Sequence, residues 1–372
     1  MLSSKVPFSK STRVLAAGAA LSFAALSLSA CGSTSGSADE SPAASGDKVG
    51  VSLIVKTTTN PFFVSMQDGA KKAAETGGVD LTLAAGKADG DEETQIQAIE
   101  NAISKGDKGI LITPNGPSVV DALKKAKDAG LFVIALDTPP DPADAADITF
   151  ATDNFAAGEL IGTWTAAQLD GKKATIALID LFDDKIVSVD YNRDQGFLTG
   201  LGIDTADAKK NGDEAKTGTY AGGKGGDYEI VGNQASQGAE DGGRTAMETL
   251  LSINPDINVV YTINEPAAAG AYEALKSAGK DKDVLVVSVD GGCTGVNNVK
   301  DGVIGATAQQ YPVKMAELGV EAIVELAATG KKPANSEGLD FYNTGVELVT
   351  DKPADGIESI TTAAASDICW GK

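Results

Sequence analysis

Polar side chains collect where the apolar runs of this sequence end. Asp137 follows LFVIAL, Asn264 follows INVVYTI and Asp290 follows DVLVVSV. A carboxylate accepts hydrogen bonds and an amide both donates and accepts, so such a set suits a small ligand rich in hydroxyl groups. Two carboxylates could also act as acid and base on a glycoside, and the same residue types cap helices. The full set is Lys56–Asn60, Thr113–Asn115, Asp137, Asp180, Asn264–Glu265, Asp290 and Gln309–Gln310.

The composition excludes several function classes. The 372 residues include no histidine, which removes Ser-His-Asp and Cys-His catalysis and the common histidine metal sites. Acidic residues outnumber basic ones by 52 to 31, and this charge repels phosphate backbones, so no nucleic-acid partner is predicted. No GxGxxG follows a strand run and no GxxxxGK[ST] occurs, so no nucleotide cofactor is predicted. The acidic run DGDEE (89–93) lacks EF-hand spacing and is interpreted as an acidic first helical turn, not a metal site.

Strand-like and helix-like runs alternate from residue 49 onwards. VGVSLIV (49–55) is typical of a buried strand, and 61–75 shows helical spacing after Pro61. The alternation repeats along the chain, with roughly ten strands, so the fold class predicted is α/β with parallel sheets in two lobes. Ligands of such sheets bind beyond the carboxyl ends of the strands. The Gly/Lys/Asp-rich residues 204–227 are predicted to be a solvated loop or an edge excursion.

The first residues have the pattern of an export signal. Lys5, Lys10 and Arg13 precede an uncharged run over 14–30, which is too short and too rich in Ala and Ser for a membrane-spanning helix. The run ends in LSAC, which resembles a bacterial lipobox. We therefore expect a signal peptide over 1–30, lipidation of Cys31, a flexible tether over 31–48 and attachment to the outer face of the cell membrane. The alternative is an ordinary signal peptide with a chance cysteine.

Six phrases, in their order along the chain, resemble the type I periplasmic solute-binding proteins, the extracytoplasmic receptors of bacterial ABC sugar importers. The similarity covers about residues 49–350 and is greatest to fructose-type receptors, with the ribose-binding branch next. NEPAAAGAY and SVDGGC carry the fructose-type similarity. The phrases are TTTNPFF (57–63), ATDNFAAGELIG (151–162), YNRDQGF (191–197), INEPAAAGAYEALKSAGK (263–280), SVDGG (288–292) and AQQYP (308–312).

The resemblance implies two Rossmann-like lobes joined by three hinge strands and closing on one sugar. The N-terminal lobe would comprise 49–152 plus 311–343, and the C-terminal lobe 153–310 plus 344–372. It implies a non-catalytic, monomeric receptor that delivers a monosaccharide to ABC permease subunits. A chemosensory receptor without an importer, a secreted carbohydrate enzyme and a sugar-responsive repressor are the alternatives. The signal peptide, the acidic charge and the lack of an N-terminal helix-turn-helix argue against the repressor.

The family's ligand residues carry over onto eight positions of this sequence. Four departures from the ribose pattern, at Lys56, Thr138, Gly238 and Val289, favour a ketohexose, above all fructose, over ribose or another pentose or hexose. Taken alone, Phe62 or Phe63 is more typical of a core residue than of a ligand. The eight positions are Asn60, Phe62, Phe63, Asp137, Arg193, Asn264, Asp290 and Gln310.

Two cysteines remain once Cys31 is lipidated. Cys293 lies in SVDGGC and Cys369 in the final DICWGK. Cysteines of an exported chain can pair, so we predict a Cys293–Cys369 disulfide that ties residues 367–372 to the GGC loop; two free thiols are the alternative.

Overall fold

Two mostly parallel β-sheets organise residues 48–372, the part of the chain that this computed structural model describes. The predicted signal peptide, Cys31 and nearly all of the tether lie outside these residues. The strands are β1 Gly50–Val55, β2 Asp80–Ala85, β3 Gly109–Ile112, β4 Phe132–Leu136, β5 Ile148–Ala151, β6 Ala174–Asp180, β7 Thr217–Tyr220, β8 Gly226–Ala235, β9 Val259–Thr262, β10 Leu285–Asp290, β11 Ala306–Gln309, β12 Tyr342–Asn343 and β13 Glu347–Val349.

The first sheet has the order β12-β5-β4-β3-β1-β2 and is parallel throughout. The second has the order β13-β11-β10-β9-β6-β8-β7, with antiparallel pairs only at its two edges. The predicted α/β class with two parallel sheets is confirmed. The chain passes from one sheet to the other after β5, after β11 and after β12, so each sheet is built from separate stretches of sequence. We call each sheet with its helices a lobe.

Helices cover both faces of each sheet. Helices α1 and α9 bury one face of the first sheet, and α2 and α3 bury the other. In the second lobe, α4 and α5 cover one face, and α6 and α7 the other. The helices are α1 Pro61–Gly77, α2 Glu92–Lys105, α3 Val120–Asp128, α4 Asn154–Leu169, α5 Ser188–Leu201, α6 Glu240–Ile253, α7 Glu265–Ser277, α8 Cys293–Lys300, α9 Pro312–Thr329 and α10 Thr362–Ile368. None of the helices in the described residues is long and apolar enough to cross a bilayer.

Helices α4 and α5 pack backbone against backbone. A Cβ at Gly158 or Gly162 would collide with the α5 backbone, and one at Gly196 or Gly200 would collide with the α4 backbone. The four glycines therefore allow an approach that any side chain would prevent. This contact fixes the position of Arg193, which α5 carries towards the first lobe.

Of the two forms predicted for residues 204–227, a solvated loop or an edge excursion, the structure shows the edge excursion. These residues include the antiparallel edge strand β7, and Tyr220 at its end is buried in the second-lobe core. The Tyr220 hydroxyl donates a hydrogen bond to the Lys172 carbonyl at 2.7 Å, which satisfies the polar end of the ring. The sequence does not show this strand as an apolar run, because β7 lies at the edge of the sheet and only one of its four residues is buried.

Candidate functional site

The eight positions expected to bind a ligand all line one small cavity between the two lobes. They reach it from the carboxyl ends of strands or the helices that follow them, as expected for parallel sheets. The cavity measures about 30 Å³, which is room for water molecules and not for a sugar ring. The walls are Lys56, Asn60, Phe62, Phe63, Asp89, Asp137, Leu181, Val189, Arg193, Ile263, Asn264, Asp290 and Gln310.

The start of α1 forms one wall of the cavity. Asn60 caps the helix, because its Oδ1 accepts a hydrogen bond from the Phe62 amide at 2.9 Å. The Phe62 and Phe63 rings meet edge to face with centroids 5.3 Å apart, and both are buried in the first-lobe core. Asn264 caps α7 in the same way, because its Oδ1 accepts a hydrogen bond from the Ala267 amide at 3.0 Å. Asn60 and Asn264 therefore each cap a helix and also line the cavity.

Asp137 and Arg193 face each other across the cavity from opposite lobes. Arg193 is 4% exposed; its Nε donates to Asn154 Oδ1 at 2.8 Å and its Nη1 to the Ile263 carbonyl at 3.0 Å. These two bonds orient the guanidinium. Its Nη2 lies 3.7 Å from Asp137 Oδ1, beyond hydrogen-bond reach. Asp137 Oδ1 has no hydrogen-bond partner among the described residues. A hydroxyl group between the two side chains could therefore accept a hydrogen bond from Arg193 Nη2 and donate one to Asp137 Oδ1.

Asp290 anchors the second-lobe wall. Its Oδ1 accepts from Gln310 Nε2 at 2.8 Å and its Oδ2 accepts from Glu265 N at 3.3 Å. Burial raises the pKa of Asp290 to about 6, although Arg193 and these bonds favour its ionised form. Its φ is 147°, and Asp137 has φ 63°, so two site carboxylates at the ends of strands have backbone conformations that L-residues rarely adopt. Such strain concentrates at functional sites.

Comparison with known proteins identifies the family. The family profile described as a periplasmic binding protein domain matches residues 51–332, most of the chain. The chain belongs to the periplasmic binding protein family. This binding protein is 30% identical over 294 residues to the ribose import binding protein RbsB of Bacillus subtilis, covering 78% of this chain and 86% of that one. It is 26% identical to the D-allose-binding periplasmic protein of Escherichia coli, covering 80% and 91%.

A solved structure extends the comparison to three dimensions. An ABC transporter solute-binding protein from Agrobacterium vitis with bound D-fucose superposes with a TM-score of 0.70 at 26% identity, covering 86% of this chain and 100% of that one. The expected type I periplasmic fold is thus confirmed, and this chain is a binding protein and not an enzyme.

Two cavity residues of this binding protein were not among the predicted ligand residues. Lys56 follows β1 and is 2% exposed, and its Nζ lies 4.0 Å from Asp89 Oδ1. Burial raises the pKa of Asp89, and its Oδ1 has no hydrogen-bond partner in the described part of the chain. The sequence signal was the lysine at the end of a buried strand. Asp89 lies in the acidic run DGDEE, where Glu92 and Glu93 form the acidic first turn of α2, as interpreted, and Asp91 caps that helix by accepting from Thr94 N.

Glu265 supports the turn after Asp290 and was also not predicted as a site residue. It accepts hydrogen bonds from Gly291 N at 2.8 Å, Gly292 N at 3.1 Å and Thr307 Oγ1 at 2.8 Å. Burial, with Asp290 adding to it, raises the pKa of Glu265 to about 8. The carboxyl group therefore holds the GG turn of SVDGG in place.

A larger cleft adjoins the cavity. It measures about 460 Å³ and shares Asn60, Asp89 and Asp290 with the cavity. Residues of both lobes line it, and Trp370 and Gly371 form part of its wall. The structure joins Cys293 and Cys369 in a disulfide with Cα atoms 4.9 Å apart, which holds this part of the chain beside the cleft.

Asp180, another strand-end carboxylate, does not reach the cavity. It lies in the second lobe with Asp190, Asp194 and Glu214, all of them buried. We call these four residues the acidic cluster. Burial raises the pKa of Asp180 to about 6 and that of Asp190 to about 8, and raises that of Asp194. Within residues 48–372, no three acidic or cysteine side chains are arranged to hold a metal ion.

Proposed function

We propose that this protein is the extracytoplasmic receptor of an ABC importer and that its ligand is a monosaccharide, fructose. The observation that carries the proposal is the facing pair of Arg193 Nη2 and Asp137 Oδ1, 3.7 Å apart and contributed by different lobes. A sugar hydroxyl placed between them would accept from the guanidinium and donate to the carboxylate. The named ligands of the relatives, ribose, allose and fucose, are all monosaccharides.

The rest of the cavity fits the same class of ligand. Gln310 Oε1 and Asp89 Oδ1 lack hydrogen-bond partners among the described residues, so each is free to accept from a hydroxyl group. The two phenylalanine rings offer the apolar surface that suits the C–H face of a sugar. Because each buried polar group must be paired, a ligand that lacks one hydroxyl would leave an oxygen unsatisfied, and specificity follows from that cost.

Lys56 supports the choice of fructose over ribose. Its buried ammonium and Asp89 add a donor and an acceptor beside Asn60, where the ribose pattern has a small hydroxyl residue. A ketohexose carries one more hydroxymethyl group than a pentose, and this pair supplies partners for it. We propose that the eight predicted positions together with Lys56 and Asp89 form the fructose site.

Binding would close the two lobes. We propose 49–152 plus 311–343 and 153–310 plus 344–372 as the lobes, with the hinge at the three chain passages after Ala151, Gln309 and Asn343. A ligand that contacts both lobes binds the closed arrangement more tightly and shifts the population towards it. We further propose that Cys31 carries a lipid anchor, that the chain acts as a monomer on the outer face of the membrane, and that permease subunits receive the sugar.

Calorimetry with a panel of free sugars tests the proposal. We expect fructose to bind more tightly than ribose, allose or fucose, and to compact the protein in solution scattering. Arg193→Ala should abolish most of this binding, whereas the exposed Asp128→Ala in the first lobe should leave it unchanged. Tighter binding of ribose or allose would overturn the choice of fructose. The receptor proposal itself fails if no monosaccharide of the panel binds.

A further inference from the structure

The segment that follows β13, residues 350–372, is anchored to the second lobe along most of its length; we call it the tail segment. Val349 forms a parallel bridge with Ile360, and Asp351 accepts hydrogen bonds from Thr362 N and Thr362 Oγ1 at the start of α10. Helix α10 packs on α8 through the buried Ala365 and Val296. The disulfide to Cys293, the first residue of α8, completes the attachment.

One residue beyond the disulfide, the tail segment enters the first lobe. Trp370 is 8% exposed and belongs to the first-lobe core that contains Phe62 and Phe63. Its ring meets the Phe62 ring edge to face, with centroids 5.3 Å apart. A side chain at Gly371 would meet Pro61 Cβ at 3.5 Å, so the tail segment also lies directly against the start of α1.

Trp370 is hydrogen-bonded at both ends of the residue. Its carbonyl accepts from Cys293 N at 2.9 Å, and its indole Nε1 donates to the Gln310 carbonyl at 2.9 Å. A Cβ at Gly292 would come within 3.1 Å of the indole ring, so the GG turn after Asp290 lies directly against the ring. The indole therefore occupies the point where α1, the chain passage at Gln310 and the Asp290 turn meet.

We infer that Trp370 is a positioning residue of the sugar site, kept in place by the Cys293–Cys369 disulfide. It holds the Phe62 ring and the Gln310 backbone, and the Gln310 side chain in turn donates to Asp290 Oδ1 at 2.8 Å. A site preorganised in this way loses less entropy when the sugar binds. The inference rests on the proposed function, because it assigns Trp370 a role in binding that same sugar.

Three variants of the full chain test the inference by calorimetry with fructose. Trp370→Ala removes the ring and its N–H, and we expect the Kd to rise about tenfold or more. Trp370→Phe keeps a ring against Phe62 and should recover affinity to within about threefold of wild type. The control is Ile368→Ala, two residues earlier in the same segment and 49% exposed, which should bind as wild type does.

Fluorescence separates positioning from a general loss of stability. The chain contains two tryptophans, and the other, Trp164, is fully buried in the second-lobe core. We expect fructose to change the tryptophan emission of the wild type and not that of Trp370→Phe, because the responding indole packs against Phe62 and bonds to Gln310, two residues of the site. A thermal melt without sugar shows whether Trp370→Ala remains folded at the assay temperature.

The outcomes distinguish the inference from the proposed function. If wild type binds fructose and Trp370→Ala binds it equally tightly, the positioning role is wrong and the receptor proposal stands. An equal emission change in wild type and Trp370→Phe also contradicts the inference. If the wild type binds no monosaccharide, the proposed function fails and takes the inference with it.

Discussion

The acidic cluster predicts that this protein loses stability as the pH rises through the neutral range. Asp180 and Asp190 have pKa values raised from 3.8 to about 6 and about 8, and burial is the main cause of both shifts. A raised native pKa means that the native state keeps a proton that the unfolded chain has lost. The stability from these groups is therefore complete below about pH 4 and is lost progressively up to about pH 8.

The size of the effect follows from linkage. Each carboxyl that is protonated in the native state and ionised in the unfolded state lowers the free energy of unfolding by about 1.4 kcal/mol per pH unit. Between pH 6 and 8 Asp190 alone would remove about 2–3 kcal/mol, which is a large part of the stability of a typical domain. Glu265, whose pKa burial raises to about 8, adds a change of the same sign at the sugar site.

Asp194→Asn isolates the contribution of the cluster. The asparagine keeps the oxygen that accepts from Gln195 Nε2 and replaces the other by an amide that can donate to Asp180. We expect the variant to be more stable than wild type at pH 7 and less sensitive to pH by about 1 kcal/mol per unit between pH 5 and 7. The control is Asp256→Asn, an exposed aspartate of the same lobe.

Urea unfolding at fixed ionic strength, repeated from pH 5 to 8, measures these slopes. Glu265 and Asp290 titrate in both proteins, so the difference between variant and wild type reports the cluster alone. A wild-type stability that is flat or rises over this range would refute the reasoning. So would an Asp194→Asn profile parallel to that of wild type.

Three further predictions concern the site, the disulfide and the anchor. Asp290→Ala should weaken fructose binding by about 2–4 kcal/mol in calorimetry, because Gln310 and the sugar lose an acceptor; an unchanged Kd contradicts this. Replacing Cys293 and Cys369 by serine should lower the unfolding free energy by about 3–5 kcal/mol in urea, and equal midpoints would exclude the effect. Cys31→Ala should move the protein from the membrane fraction to the soluble fraction, and lipid labelling that persists in the variant speaks against the anchor.

Part of the convergence of the site could be predicted from the sequence because the topology of each sheet produces it. In parallel sheets the carboxyl ends of the strands share one edge, so Asn264 and Asp290 had to lie close together in the second sheet. Asp137 belongs to the first sheet and meets them only because the two lobes face each other, an arrangement that the family resemblance implied and no strand pattern encodes. The strands were recognisable because both faces of each sheet are covered, which makes runs such as β1 and β6 buried and predominantly apolar.

The features that were missed depend on contacts distant in the sequence or on very short elements. Asp89 meets Lys56 only because two loops of the first lobe lie side by side, and no local pattern encodes that. Strands β12 and β13 have two and three residues, too few to show a periodicity. Trp370 joins the first-lobe core through a segment attached to the second lobe, which only the tertiary structure reveals.

The threefold passage of the chain between the lobes has a consequence for how the protein folds. The inner strands of the second sheet and α4–α8 form a continuous stretch, 154–309, so this lobe can condense while the rest of the chain is still unstructured. The first lobe cannot, because α1 packs against α9 and β5 pairs with β12, both from beyond residue 311. We expect the N-terminal lobe to be the later of the two to fold, the reverse of the order usual during synthesis. Until then the β1–β5 region lacks the cover that α9 gives to one of its faces and stays exposed to misassociation.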